Sequence, residues 1–404
     1  MSAKRTTACG ALALAAAATV LSGCAGRGPA ALITPTAQQQ CGTAAPAPAP
    51  ALRRVRTVMR GLPPSGGFAA QPFGVVTAPG RWAFVSVVSG VDVLATRQFR
   101  PRLVRHIPVP QALGEALAPD GRYLLVASAR GMTVISVRRA EAGGAHAVLG
   151  TLAVPHAQGP IEVTVSPDGT LAFVSVEYSN EIAVFRLSRA LARGFGPADL
   201  VGTIPTGDGA VGMAISPDGR WLYATSEQAA KAPPGGRPGD IPGTLSVISV
   251  PQAARHPARS VVAVRYADCQ PVRVVLSRGG RIAWVTARAS NAVLAFDTAR
   301  LRTAPRSALL ADVRVGIAPV GLILVRRSTR LIVADSNRFA KPPVPSNLAV
   351  LSVAAALAHR PALLGYIPAG KFPRQFAAEP GGQTLLVTNF LSGQLQAVGL
   401  SRLP

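Results

Sequence analysis

The chain has 404 residues, 49% of them hydrophobic, and its 42 Lys and Arg against 18 Asp and Glu give a formal net charge of +24. Nearly all of that charge is Arg, because Lys occurs only at positions 4, 231, 341 and 371. Aromatics make up 5% and none interleaves with an Arg cluster, which weighs against a base-stacking nucleic-acid surface; the charge fits either attraction to acidic partners or a solvated basic surface.

The chain opens Met1-Ser2-Ala3-Lys4-Arg5, runs through an Ala/Leu stretch and reaches Leu21-Ser22-Gly23-Cys24. A charged start and a short apolar core predict a secretory signal peptide over residues 1–23, too short to stay as a spanning helix. Its last four residues resemble the bacterial lipobox, which implies that Cys24 is lipidated and begins the mature chain. Residues 24–52 shift to Ala, Pro, Gly, Thr and Gln, and they read as a semi-rigid tether. Extended at roughly 3.1 Å per residue, the stretch from Ala25 to Ala51 spans up to about 80 Å. These features predict an extracytoplasmic lipoprotein of a bacterial cell envelope, held at the membrane by its lipid anchor.

From residue 53 onward a turn repeats. It stands intact at Ser166-Pro167-Asp168-Gly169 and Ser216-Pro217-Asp218-Gly219, with weaker copies at Ala118-Pro119-Asp120-Gly121, Ser277-Arg278-Gly279-Gly280 and Glu379-Pro380-Gly381-Gly382. Pro suits the first corner of a tight turn, while Asp and Gly tolerate the positive φ that closes it. Each copy sits between two short apolar runs, so it marks a hairpin. Aligned on the turn, units begin near Pro72, Ala112, Pro160, Ala210, Pro271, Pro319 and Pro373. In the third unit the strands read as Ile161–Ser166, Leu171–Val176, Ile182–Leu187 and Asp199–Ile204. Four strands per unit, radially repeated, predict an all-β, seven-bladed β-propeller over residues 53–404. The last unit ends after three strands, and Arg53–Arg60 alternates suitably to supply the fourth and close the ring. A helical solenoid, the main rival, lacks the required 3.6-residue periodicity.

Four cysteines occur. Cys9 leaves with the leader and Cys24 is the lipid site, so Cys41 and Cys269 remain. A closing strand that starts on the bottom rim places them far apart, and a free, buried Cys269 is expected over a disulfide.

The turns fix one face as the bottom, so attention falls on the opposite face, around the channel mouth. Two positions into the units stand Gly74, Gly114, Gly212 and Gly321, but three units carry Glu162, Arg273 and Gln375 there, with Arg374 beside the last. Charges at such a position form either a clamp for a small anion or carbonyl compound, or a pair satisfying each other across the channel. Loops leading into the first strands add His156, Asp208, Asp268 and Lys371. Loops between second and third strands add Glu177, Tyr178, Glu227, Arg288, Asp335, Asn337 and Asn389. Carboxylates with Asn suit a hard cation or, if burial raises a pKa, general-base catalysis; the alternative is ordinary solvated loops. Two Pro-rich insertions, Ala229–Gly243 and Phe339–Ser346, fall on the same face. There is no serine-hydrolase elbow, P-loop, zinc-protease or haem motif, and of five His only His156 reaches the mouth. No cofactor or metal is expected.

Pro-x-Gly, the S-P-D-G turn, a second strand ending as in Leu386-Val387-Thr388-Asn389, and Ser-Asn before the third strand (Ser179-Asn180, Ser290-Asn291) resemble the YVTN-repeat, or YncE-like, β-propeller family across residues 53–404. The same grammar is similar to that of the lactonase-like seven-bladed propellers, and Glu177-Tyr178-Ser179-Asn180 looks somewhat like their Asn-Glu-x-x-Asn loop. The first resemblance implies a propeller and little about function, since its marks are turn and strand residues. The second implies hydrolysis of a sugar lactone, with Glu162, Glu177, His156 and Arg273 as candidate catalytic groups. The preferred expectation is a monomeric, non-enzymatic binding module. Its mouth face (Glu162, Arg273, Arg374, Gln375, Asp208, Asp268, Lys371, Asp335, Asn389) would take an envelope protein or anionic envelope polymer.

Overall fold

A computed structural model describes residues 45–64, 69–97, 99–230, 241–338, 340 and 342–404. The leader, Cys24, Cys41 and most of the Ala229–Gly243 insertion lie outside the described residues. The described chain forms a seven-bladed β-propeller, each blade a sheet of four antiparallel strands. In blade 3 the strands are Pro160–Val165, Leu171–Val176, Glu181–Arg186 and Leu200–Pro205, each within a residue of its expected span. Blade 7 takes its outermost strand from the start of the domain. Thr57–Gly61 pairs antiparallel with Gln394–Val398, Met59 lying opposite Gln396. That pairing leaves the ring no open seam between its two ends.

The turn that identifies the repeat is a small hydrogen-bonded unit. Ser166 Oγ donates to Asp168 at 2.5 Å and accepts from the Leu171 N–H at 2.9 Å, while the Asp168 carboxylate accepts from the Thr170 N–H at 3.0 Å. Ser216 and Asp218 repeat this pattern with Trp221 and Arg220. Gly169 and Gly219 close their turns at φ +70° and +68°, where a side chain would be strained. Successive turns also touch: a Cβ on Gly219 would meet Pro167 of the preceding blade at 3.4 Å, and one on Gly280 would meet Pro217 at 2.8 Å.

A second device joins neighbouring blades. Thr225 Oγ1 accepts from the Gly212 N–H of its own blade at 2.9 Å and donates to the Val272 carbonyl of the next at 3.0 Å. Thr286 does the same between Arg273 and Val320, and Thr388 between Gln375 and Phe73. Ser175 donates to Val211 at 2.7 Å, and Ser86 bonds the Leu113 carbonyl. The Thr or Ser near the end of the second strand is therefore a bracket between blades, and Thr388 carries it across the ring closure. Apolar side chains fill the space between the sheets, as where Phe173, Ile182 and Val184 of blade 3 meet Met213, Leu222 and Ile248 of blade 4.

Two features differ from the sequence expectation. Short helices follow the third strands at Val137–Ala142, Leu187–Arg193, Val250–Ala253, Thr298–Thr303 and Val353–Leu357, elements absent from the four-strand reading of the units. They are too short to show helical periodicity, but Ser136, Ser249, Asp297 and Ser352 cap the N-termini of four of them, a local signal within the strand ends. Cys269 is fully buried and disulfide-bonded, not a free thiol; its partner lies outside the described residues. The physical reason is the path of the chain ahead of the closing strand. Instead of leaving from the bottom, it climbs the outer edge of blade 6. Leu52 N–H bonds the Tyr366 carbonyl at 2.7 Å, Tyr366 N–H bonds Pro50 at 2.9 Å, and Ala47 N–H reaches Val315 at 2.9 Å in the loop leading into that blade. The chain therefore arrives on the same face as Cys269.

Candidate ligand-binding site at the channel mouth

The innermost strands bring three polar side chains to the axis from blades 3, 5 and 7. Glycine in the preceding blade makes room for each. A Cβ on Gly114 would stand 2.8 Å from Glu162 Cα and 3.0 Å from its carboxyl carbon; one on Gly212 would stand 2.8 Å from Arg273 Cα; one on Gly321 would strike the Arg374 carbonyl. The alternation of glycine and polar residue seen in the sequence is thus a steric necessity. Glu162 Oε2 lies 2.8 Å from Arg273 Nη2, and Gln375 Nε2 donates to the same carboxylate at 3.0 and 3.3 Å. Glu162 and Arg273 are 8% and 5% exposed, so the three groups plug the channel with a cross-axis pair. Burial raises the pKa of Glu162, and the nearby Arg273, Arg374 and the Gln375 hydrogen bond pull the other way without cancelling it.

Arg374 is held differently. Its Cζ lies 3.7 Å from the centroid of Phe73, 4.9 Å from that of Phe372 and 5.4 Å from that of Phe390. Phe390 in turn meets Phe73 and Phe372 edge-on at 6.2 and 5.6 Å. Phe73 precedes the first strand of blade 1, Phe372 precedes that of blade 7, and Phe390 follows the second strand of blade 7, so ring closure assembles the seat. Arg374 is 9% exposed, its Nε has no hydrogen-bond partner, and it makes no ion pair among the described residues. Burial drives its pKa well down, and the neighbouring Arg273, Arg338 and Arg288 add to this against Glu162. A guanidinium stays protonated in proteins, so Arg374 is a buried cation held among like charges.

Above the plug, Arg288 Nη2 pairs with Glu227 at 2.7 Å and Arg288 Nε bonds Gln270 at 3.2 Å. Arg338 lies 5.0 Å over Phe372. Burial raises the pKa of Glu177, Glu227 raises it further, and Arg273, Arg374 and Arg288 lower it, so Glu177 shares this electrostatic field. The mouth therefore gathers four guanidinium groups and three carboxylates. Tyr178 and Leu391, at 70% and 58% exposure, are large apolar side chains on its loops.

Other candidate residues stand apart from this cluster. His156 is exposed, with φ +57°. Asp208 is exposed and accepts from Asn180 Nδ2 at 3.1 Å, and Lys371 is exposed. Asp268 is buried beside the fourth-blade insertion. Asp335 and Asn389 were expected on mouth loops, but each is the last residue of a second strand and is fully buried. Asp335 pairs with Pro319 and Asn347, and Asn389 Nδ2 bonds Gln396 at 3.2 Å. Among the described residues no group of three His, Cys, Asp or Glu is arranged to hold a metal, and no helix is long and apolar enough to cross a membrane. The three Phe residues and Arg338 carried no motif. Only their position beside the unit starts and in the second-to-third-strand loops would have marked them.

Chemically, the plug is poorly suited to general-base work, because Arg273 and Gln375 occupy the Glu162 carboxylate. The guanidinium-rich layer over it suits an oxyanion.

Comparison with known proteins agrees with the architecture. A search of curated proteins gave no match. Among solved structures, the chain superimposes on Kuenenia stuttgartiensis hydrazine synthase with a TM-score of 0.65 at 19% identity, over 82% of this chain and 96% of that one, a likeness of fold. Residues 115–298 are similar to the family model described as Lactonase, 7-bladed beta-propeller, a match that runs from blade 2 to the third strand of blade 5.

Proposed function

We propose that this protein is an exported, lipid-anchored binding module. Its channel-mouth face recognises an envelope protein or another anionic envelope component. The supporting observation is the pairing of exposed apolar loop residues with a buried basic floor on one face. Tyr178 and Leu391 offer apolar contact, while Arg374 sits beneath without an acidic partner among the described residues. Apolar anchors around a desolvated polar centre are the anatomy of a recognition surface. Export and anchoring rest on the leader and on Cys24. Replacing Cys24 with Ser should release the protein from membranes and abolish a lipid mass shift. The recognition face is tested by cross-linking the native lipoprotein in cells. Capture of a discrete envelope partner is expected, and Tyr178→Glu with Leu391→Glu should abolish it without lowering the melting temperature. Capture unaffected by the double substitution sinks this reading.

The family match over residues 115–298 gives a second reading, lactone hydrolysis, its own support. Purified protein screened against sugar lactones decides it: turnover lost in Glu162→Gln or His156→Ala establishes an enzyme, and inactivity removes the reading.

A further inference from the structure

The Arg374 seat has the construction of a site for one chemical group. The cation is nine-tenths buried and three phenylalanine faces or edges surround it. Its Nε lacks an acceptor, and no carboxylate of the described chain reaches it within ion-pair distance. Of the nearby acids, Glu162 is bound by Arg273 and Gln375 and Glu227 by Arg288, while Glu177 shares the field of Arg374 without pairing with it. A buried charge left without a partner is costly, and the aromatic faces offset only part of that cost. The remaining requirement is a planar acceptor that meets the guanidinium in its own plane while its non-polar body packs on phenylalanine.

Resting on the reading of the mouth as a recognition face, we infer that Arg374 binds the carboxylate of a ligand whose adjoining part is apolar or aromatic, with Phe73, Phe372 and Phe390 as the walls. Carboxylate is favoured over phosphate by three features. A carboxylate is planar and matches the guanidinium fork with two parallel hydrogen bonds. The walls provide no hydroxyl or amide side chains to replace the hydration of a dianion, being phenylalanines. Two of the mouth's three other guanidinium groups are committed to carboxylates, Arg273 to Glu162 and Arg288 to Glu227, which leaves less positive field than a dianion needs.

Calorimetry on the full chain with benzoate, benzamide and inorganic phosphate as probes tests this. Benzoate should bind, with benzamide and phosphate each at least roughly tenfold weaker, a difference of about 1.4 kcal/mol. Arg374→Gln should weaken benzoate by roughly tenfold or more, and Arg374→Lys should recover only part of it, since the fork is lost. If Arg374→Gln does not fold, Phe390→Leu keeps the charge and thins the wall; it should weaken benzoate while leaving phosphate unchanged. Equal binding of benzoate and benzamide, tighter phosphate, no binding, or indifference to these substitutions overturns the proposal. Failure here with partner capture intact removes the carboxylate seat alone. Loss of partner capture with benzoate still bound removes the recognition face alone.

Discussion

Glu162 of blade 3 and Arg273 of blade 5 meet at 2.8 Å across the propeller axis, although 111 residues separate them in sequence. Removing one partner leaves the other as an uncompensated buried charge. Arg273→Met should cost about 3–5 kcal/mol at pH 8, read from urea unfolding. The bare Glu162 would then hold its proton more tightly in the folded state, so the loss should shrink as pH falls towards 5. Adding Glu162→Leu should recover most of the loss at pH 8. A double variant as unstable as the single one would show that the pair is not the source of the effect.

The inter-blade brackets make a separate prediction. Thr225→Val preserves shape but strands the buried Gly212 N–H and leaves the Val272 carbonyl only its 3.4 Å contact with Arg273 Nη1. An orphaned buried group costs about 1–3 kcal/mol, so a destabilisation of about 1–3 kcal/mol is expected in denaturant melts. Thr388→Val should cost as much, because Thr388 links Gln375 to Phe73 over the ring closure in the same way. Deleting residues 51–62 removes the closing strand itself and should lower the melting temperature far more than either substitution.

Much of this was legible in the sequence, for reasons that also explain the rest. The S-P-D-G turn is a local network within four or five residues, so four-strand units and the missing last strand could be read directly. Glu162, Arg273 and Gln375 stood out because glycine is sterically required at the equivalent position of the other blades. The Arg374 seat did not, because Phe73 and Phe390 lie 317 residues apart and meet only when the ring closes. Asp335 and Asn389 look like loop residues by type, yet the ladder runs one residue beyond the apolar run to Asp335 and two to Asn389, and buries them. Glu115 was missed because it follows Gly114 at a position where other blades carry an apolar residue.

That residue makes stability depend on pH. Glu115 is 7% exposed, and neither carboxylate oxygen has a well-formed hydrogen bond, though the Ser86 and Val76 amides lie near. Burial pushes its pKa well up, and Glu162 and Asp92 add to the push against those amides. The folded chain thus keeps a proton that the unfolded chain releases near pH 4.3. Stability from this group is complete below that pH and is lost as pH rises towards the folded-state value. Glu115→Gln should therefore change little at pH 4 and stabilise by about 1–3 kcal/mol at pH 8. Asp335, also pushed well up by burial, should leave a residual slope that Asp335→Asn removes. A wild-type protein whose stability climbs steadily from pH 5 to 8, with no gain in Glu115→Gln, contradicts this.

The disulfide at Cys269 gives the last prediction. The other cysteines are Cys9, Cys24 and Cys41. Ala47 is bonded to Val315, whose own N–H bonds Asn291, and the neighbouring Ala289 N–H bonds the Cys269 carbonyl. These contacts lead step by step from the docked segment to the buried sulfur. The six Cα–Cα steps from Ala47 back to Cys41 span up to about 20 Å, which makes Cys41 the expected partner. Peptide mapping without reductant should recover one cross-linked species containing both. Such a bond fastens the segment before the closing strand to the mouth face. Reduction, or Cys41→Ala, should then cost about 2–4 kcal/mol and raise proteolysis ahead of Ala47 before the blades themselves open. Mapping that instead joins Cys269 to Cys24 would also deny Cys24 its lipid, so the same digest tests the anchor.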